Sequence, residues 1–173
     1  NRNGEFFGVN ASGDRILFFV DSSKRMQVQP FVTACSGLQK SLATLDRKQQ
    51  FLVILFAEDS YPMYFPRVLD TLIPCTPENQ RLVNAWLREQ ERSLLGRAKP
   101  DAALQLALAY RPSTIFFLTG GGVEGRVLGD VRRKNSAGTQ INVIGVNVSD
   151  GEESLRTLAQ QNNCIFNAIG PKK

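Results

Sequence analysis

Histidine is missing altogether from this 173-residue chain. With it go the Ser-His-Asp and Cys-His triads, histidine zinc sites and imidazole acid-base chemistry, and with them most hydrolase mechanisms. Cysteine is scarce. Cys35, Cys75 and Cys164 form an odd set with no CxxC pair, in mainly apolar surroundings, and read as small core or loop residues. No apolar run exceeds strand length, so the sequence offers nothing to insert in a bilayer. The opening NRNGEFFGVN has neither a Met nor an apolar signal core, and residues 1–173 are read as one domain of a longer protein.

What is present is the balance of a globular chain, 42% hydrophobic and 21% charged. The net charge of +5 is dispersed, and its densest cluster is RRK at Arg132 to Lys134. That spacing reads as a solvated helix face, so no nucleic-acid partner is expected.

Strand and helix signals alternate along the chain. The apolar run RILFFV (15–20) predicts a strand, and Phe31, Cys35, Leu38, Leu42 and Leu45 then recur on one helical face over 29–45. FLVILFA (51–57) is apolar on both faces, as a strand covered by helices on two sides requires. YPMYFP, bracketed by Pro62 and Pro66, suits only an edge strand. Thr76 as cap and Pro77 at the first helical position start a helix, and DAALQLALAY (101–110) predicts another. TIFFLT (114–119) is a strand followed by a glycine turn and a basic helix, INVIGVNV (141–148) a further strand, ESLRTLAQQ a helix and CIFNAI (164–169) the last strand. The order predicts an α/β fold with a doubly wound, mostly parallel sheet of about six strands, one antiparallel edge strand, and helices on both faces. Trp86, Phe51, Phe116 and Phe117 lie in apolar-periodic elements and belong to its core.

In such sheets ligands bind at the carboxyl ends of the strands, near the point where strand order reverses. The loops to watch are therefore DSSKRM (21–26), AEDS (57–60), GRAKPD (96–101), GGGVEG (120–125) and NVSDG (147–151). Gly120, Gly122 and Gly125 also spell G-x-G-x-x-G between a strand and a helix, which opens an alternative of nucleotide or anion binding at Gly120, Gly121, Gly122 and Gly125. Against it, the fingerprint follows a late strand, and Asn147 stands where a ribose-binding acid would be expected. Glu58 and Asp59 are adjacent rim acids for which the sequence supplies no catalytic partner.

FFGV, RILFFVDSS, FLVILFAEDS and GRAKPDAALQLALAYRPSTIFFLTGGG, taken in order, resemble a von Willebrand factor type A domain over nearly the whole chain, most nearly its bacterial members. The resemblance implies a Rossmann-like fold and a protein-binding role. It also implies a metal-ion-dependent adhesion site, in which an Asp-x-Ser-x-Ser loop, a threonine and an aspartate after the fourth strand hold magnesium for a partner's carboxylate. Asp21 and Ser23 match the first two positions; Arg25, Ala98 and Gly120 replace the remaining serine, threonine and aspartate, and Lys99 replaces the acid after the threonine. Magnesium demands near-octahedral oxygen ligation, and a like charge about 4 Å away costs roughly 4 kcal/mol per charge unit at an effective dielectric of about 20.

No cofactor is expected on these grounds, magnesium included. The domain is read as a non-catalytic protein-interaction module with a degenerate, metal-independent adhesion site. Its partner-binding rim comprises Asp21, Ser22, Ser23, Arg25, Lys99 and Gly120, and the partner is another protein that offers an acidic side chain. In a blander reading of the same loop, Asp21 pairs with Arg25 or Lys99 and Ser23 caps the next helix.

Overall fold

In the computed structural model, which describes residues 4–91 and 96–170, the apolar runs line up as a single sheet. The strands are β3 (Arg15–Asp21), β4 (Gln50–Phe56), β5 (Ser60–Pro62), β6 (Ile73–Pro74), β7 (Thr114–Thr119), β8 (Gln140–Val146) and β9 (Phe166–Ile169). They follow a hairpin of β1 (Glu5–Phe6) and β2 (Val9–Asn10) that stands apart from the sheet. The helices are α1 (Gln29–Thr44), α2 (Pro77–Gln90), α3 (Pro100–Ala109), α4 (Gly125–Lys134) and α5 (Glu152–Gln161).

The sheet runs β5-β4-β3-β7-β8-β9, with β6 also paired to β4. β3, β4, β7, β8 and β9 are parallel to one another, while β5 and β6 are antiparallel to β4. Right-handed crossovers then dictate the layers. The step from β3 to β4 goes one way along the sheet and puts α1 on one face, where α2 joins it. The steps to β7, β8 and β9 go the other way and put α3, α4 and α5 in a row on the opposite face.

Phenylalanines fill both sides of the central pair. Phe18 and Phe116 are in register and stack at 5.7 Å, with Phe6 of the hairpin closing over them at 5.3 and 5.4 Å. On the other face Phe19, Phe117 and Phe56 cluster at 4.5 to 5.7 Å. Each ring is fully buried, and each such burial is worth about 1.5 to 3 kcal/mol. Phe51 and Trp86 are core residues as expected.

Two expectations need correction. The edge strand is only Ser60–Pro62, because Tyr64 turns the chain away with a φ of 68° before the Phe65-Pro66 bond. A second antiparallel strand, Ile73–Pro74, pairs with the start of β4, so among the described residues the sheet has seven strands where about six were expected. The segment FFGV makes the hairpin, whose turn takes positive φ at both Phe7 (48°) and Gly8 (80°), as a tight primed turn requires. Thr76 caps α2 as its position predicts, its hydroxyl accepting the Asn79 amide at 3.2 Å. Arg132, Arg133 and Lys134 fall in the last turn of α4, where the helix dipole favours cations. Among the described residues no helix is long and apolar enough to cross a membrane.

Candidate functional site

Strand order reverses between β3 and β7, and their carboxyl ends bring Asp21 and Thr119 together. Side chains two apart on a strand share a face, so Asp21 follows Phe19 and Thr119 follows Phe117 to the same side. The surrounding loops are tied to each other by backbone bonds. Ser22 donates its N–H to the Phe56 carbonyl at 2.8 Å, Lys24 to Gly96 at 3.0 Å, Lys99 to Ala57 at 2.8 Å and Gly122 to Asp150 at 3.3 Å. The loops singled out from the sequence therefore converge on one rim.

Asp21 is fully buried, and its charge is met by donors on every reachable side. Oδ1 accepts the Ser23 amide at 3.0 Å; Oδ2 accepts the Arg25 Nε–H at 2.6 Å and the Gly120 amide at 3.1 Å. Arg25 continues past the carboxylate, and its Nη2 donates to the Thr119 hydroxyl at 2.8 Å. That hydroxyl donates onward to the Gly121 carbonyl at 2.9 Å. Glycine is what lets the arginine lie here: a Cβ on Gly121 would stand 2.5 Å from Arg25 Nη1, and one on Gly120 3.2 Å from its Cγ.

The site residues expected from the sequence take unequal places. Asp21, Ser22 and Ser23 are buried and support the rim from beneath rather than facing outward. Ser22 is spent on β4, its hydroxyl donating to the Phe56 carbonyl at 3.1 Å. Ser23 does not cap the short 3-10 turn Lys24–Met26 that follows, and its buried hydroxyl has no partner within the described residues. Arg25 keeps 33% of its side chain exposed. The expected pairing of Asp21 is thus with Arg25, while Lys99 lines a different groove.

Two grooves flank the rim. One, of about 640 Å³, is lined by Ser23, Lys24, Arg25, Glu58, Arg97 and Ala98 among others. Its neighbour, of about 370 Å³, is lined by Glu58, Asp59, Lys99, Asp101, Glu124 and Arg126, again with Ala98. Arg126 bridges Asp101 at 2.9 Å and Glu124 at 2.8 Å. A further groove of about 670 Å³ between the hairpin and α1 is remote from the switch point and gathers no comparable charge. The three glycine amides of the turn are all committed internally, to Asp21, to the Thr119 hydroxyl at 3.3 Å and to the Asp150 carbonyl. They are therefore not free to cradle a pyrophosphate. Among the described residues no group of three or more His, Cys, Asp or Glu is placed to hold a metal ion.

Sequence reasoning overlooked Thr119 and Arg97. A hydroxyl residue closing the buried run TIFFLT was the available signal for Thr119, since such a strand end abuts the loop after its neighbour. Nothing in GRAKPD showed that Arg97 and Lys99 would face different grooves.

No protein-family model and no curated protein matches the sequence. Solved structures define the class: the fold is that of von Willebrand factor type A domains, Rossmann-like and mostly parallel. A von Willebrand factor type A protein from Catenulispora acidiphila superposes with a TM-score of 0.81 at 16% identity, over 94% of this chain and 40% of that one. Proximal thread matrix protein 1 from the mussel byssus, in a structure described with a zinc-occupied MIDAS motif, gives 0.65 at 14% identity over 88% and 40%. The N-terminal domain of TFIIH p34 gives 0.63 at 12% identity over 90% of each chain. The chain thus spans two fifths of the length of the first two proteins.

Proposed function

We propose that this chain is a non-catalytic protein-interaction module which engages another protein at the rim of its switch point, through an acidic side chain and without a metal. Von Willebrand type A folds commonly mediate protein-protein interaction, and that supports the class of function. The observation that carries the finer reading is the Arg25 guanidinium on Asp21. This donor set does not fit a divalent ion. The carboxylate already accepts three N–H donors, and a dication brought to Oδ2 would stand against the guanidinium 2.6 Å away. Ser23 still offers a hydroxyl, but one hydroxyl and a neutralised carboxylate cannot replace a hydration shell. The arginine itself supplies the positive charge, with N–H groups left over for an incoming carboxylate.

Two measurements test this. Calorimetry and thermal unfolding with magnesium or manganese are expected to show no saturable heat and no rise in Tm; a clear rise would overturn the metal-free reading, because binding to the folded state must stabilise it. A partner captured from the native cell should be retained in EDTA and lost when exposed Lys24 is changed to Glu. Retention by that variant together with loss in EDTA would return the site to a metal mechanism. No observation favours the nucleotide alternative.

A further inference from the structure

The two grooves on the rim share a wall, since Glu58 and Ala98 line both. Their charges are opposite. On one side stand Lys24, Arg25 and Arg97 against Glu58, with Asp21 beneath already matched to Arg25. On the other stand Glu58, Asp59, Asp101 and Glu124 against Lys99 and Arg126, and Arg126 is held by Asp101 and Glu124. Among the described residues Lys24, Arg97, Glu58 and Asp59 lack an ion-pair partner within bridging distance. Unpaired like charges gathered on each side repel one another until a counter-charge arrives. The basic groove also holds Ser23, 1% exposed, whose hydroxyl has no hydrogen-bond partner among the described residues and is costly to leave so.

We infer that the two grooves together take one extended segment of a partner protein that carries an acidic side chain close to a basic one. The acidic side chain enters beside Arg25, Lys24 and Arg97, near the Ser23 hydroxyl. The basic one crosses the Glu58 and Ala98 wall to meet Asp59 and its neighbours. This rests on the interaction-module reading and sharpens it in two ways: Lys99 belongs to the half that receives the basic residue, and a uniformly acidic partner is disfavoured because its remaining charges would face Glu58 and Asp59. Placing each charge against an opposite one adds specificity and association rate rather than raw affinity alone.

The test uses fluorescence anisotropy with three labelled peptides of equal length in a glycine-serine background, carrying a glutamate pair with a lysine pair, glutamates only, or lysines only. The mixed peptide should bind saturably and about tenfold more tightly than either of the others, a difference of about 1.4 kcal/mol. Arg97→Glu and Asp59→Lys, both at exposed positions, should each erase that preference with Tm unchanged. Equal binding of the all-glutamate peptide overturns the inference, as does tighter binding when phosphoserines replace the glutamates. Absence of saturation by the mixed peptide at millimolar concentration overturns it as well. Repeating the titration with magnesium and with EDTA separates the two levels, since a mixed-charge preference that needs magnesium would sink the metal-free reading and leave the paired grooves standing.

Discussion

The Nε–H of Arg25 lies 2.6 Å from Oδ2 of Asp21, one helical spacing earlier in the chain, and joins a fully buried acid to a partly exposed base. Breaking a buried pair by removing one partner costs about 3 to 5 kcal/mol, whereas exposed pairs are worth about 1 or less. With the arginine one-third exposed and Asp21 still holding two backbone amides, the intermediate value applies. Arg25→Met is expected to destabilise the fold by about 2 kcal/mol in urea unfolding. Asp21→Asn and Arg25→Met should be clearly non-additive in combination, with a coupling of about 1 kcal/mol or more. Additive losses would show that the contact contributes nothing of its own.

Val28, just before α1, has a φ of 64° and a ψ of −113°, and 78% of it is exposed. A β-branched residue in that region stores strain of about 1 to 3 kcal/mol, with little burial here to offset it. Val28→Gly removes the Cβ that causes the strain, at an unfolded-state entropy cost of about 1 kcal/mol or less. The expected result is a gain of up to about 1 kcal/mol, while Val28→Ala, which keeps the Cβ, recovers much less. Equal effects of the two substitutions in chemical denaturation would locate the cost elsewhere.

How far the sequence could carry this reading depended on the kind of signal each element leaves. TIFFLT was legible to the residue because a strand buried on both faces is a continuous apolar run. So was the start of α2, where Thr76 and Pro77 act locally. Ile73–Pro74 left no pattern, since a two-residue strand is defined only by the β4 edge it meets. At the site, the Asp21 and Arg25 pair was readable from spacing, because four residues around a tight turn bring side chains together. Thr119 comes from 98 residues away and owes its place to the β3 and β7 register, which no local pattern reports. The burial of Ser22 and the separation of Lys99 from Arg25 likewise belong to packing.

Burial pushes the Cys35 thiol up to about 12 from its ordinary value of 9.0, with the negative charge of Glu91 adding to the effect. Since the folded-state value is raised, the neutral thiol's contribution is complete below the unfolded value and is lost as pH rises. Between about pH 9 and 12 the unfolded chain releases this proton and the folded chain keeps it, so stability falls with increasing pH. Cys35→Ala is expected to flatten the fall of Tm across that window by up to the equivalent of one proton, even though it lowers Tm overall by leaving a small cavity. The same reasoning predicts slow alkylation of Cys35 and Cys75 in the folded state at neutral pH, Cys75 being raised to about 11 mainly by burial. Parallel Tm profiles for the wild type and the variant would rule out a contribution from Cys35.

Gly121 and Gly122 are adjacent, yet alanine should act differently at each. At Gly121 a Cβ would stand 2.5 Å from Arg25 Nη1, the far end of a flexible arm that can swing outward. Gly121→Ala should therefore cost less than about 1 kcal/mol while parting Arg25 from Thr119. That parting is visible as a shift of the Arg25 Nε–H resonance and a weaker preference for the mixed-charge peptide. At Gly122 the new Cβ would meet the Gly151 Cα at 2.6 Å and its carbonyl oxygen at 2.7 Å, and backbone cannot swing away. Gly122→Ala must push the loop after β8 off the turn and break the Gly122 to Asp150 bond, a loss of about 2 to 3 kcal/mol. If Gly121→Ala proved the more destabilising, the arginine would have to be rigidly fixed, and the glycine turn would serve to lock Arg25 rather than to admit it.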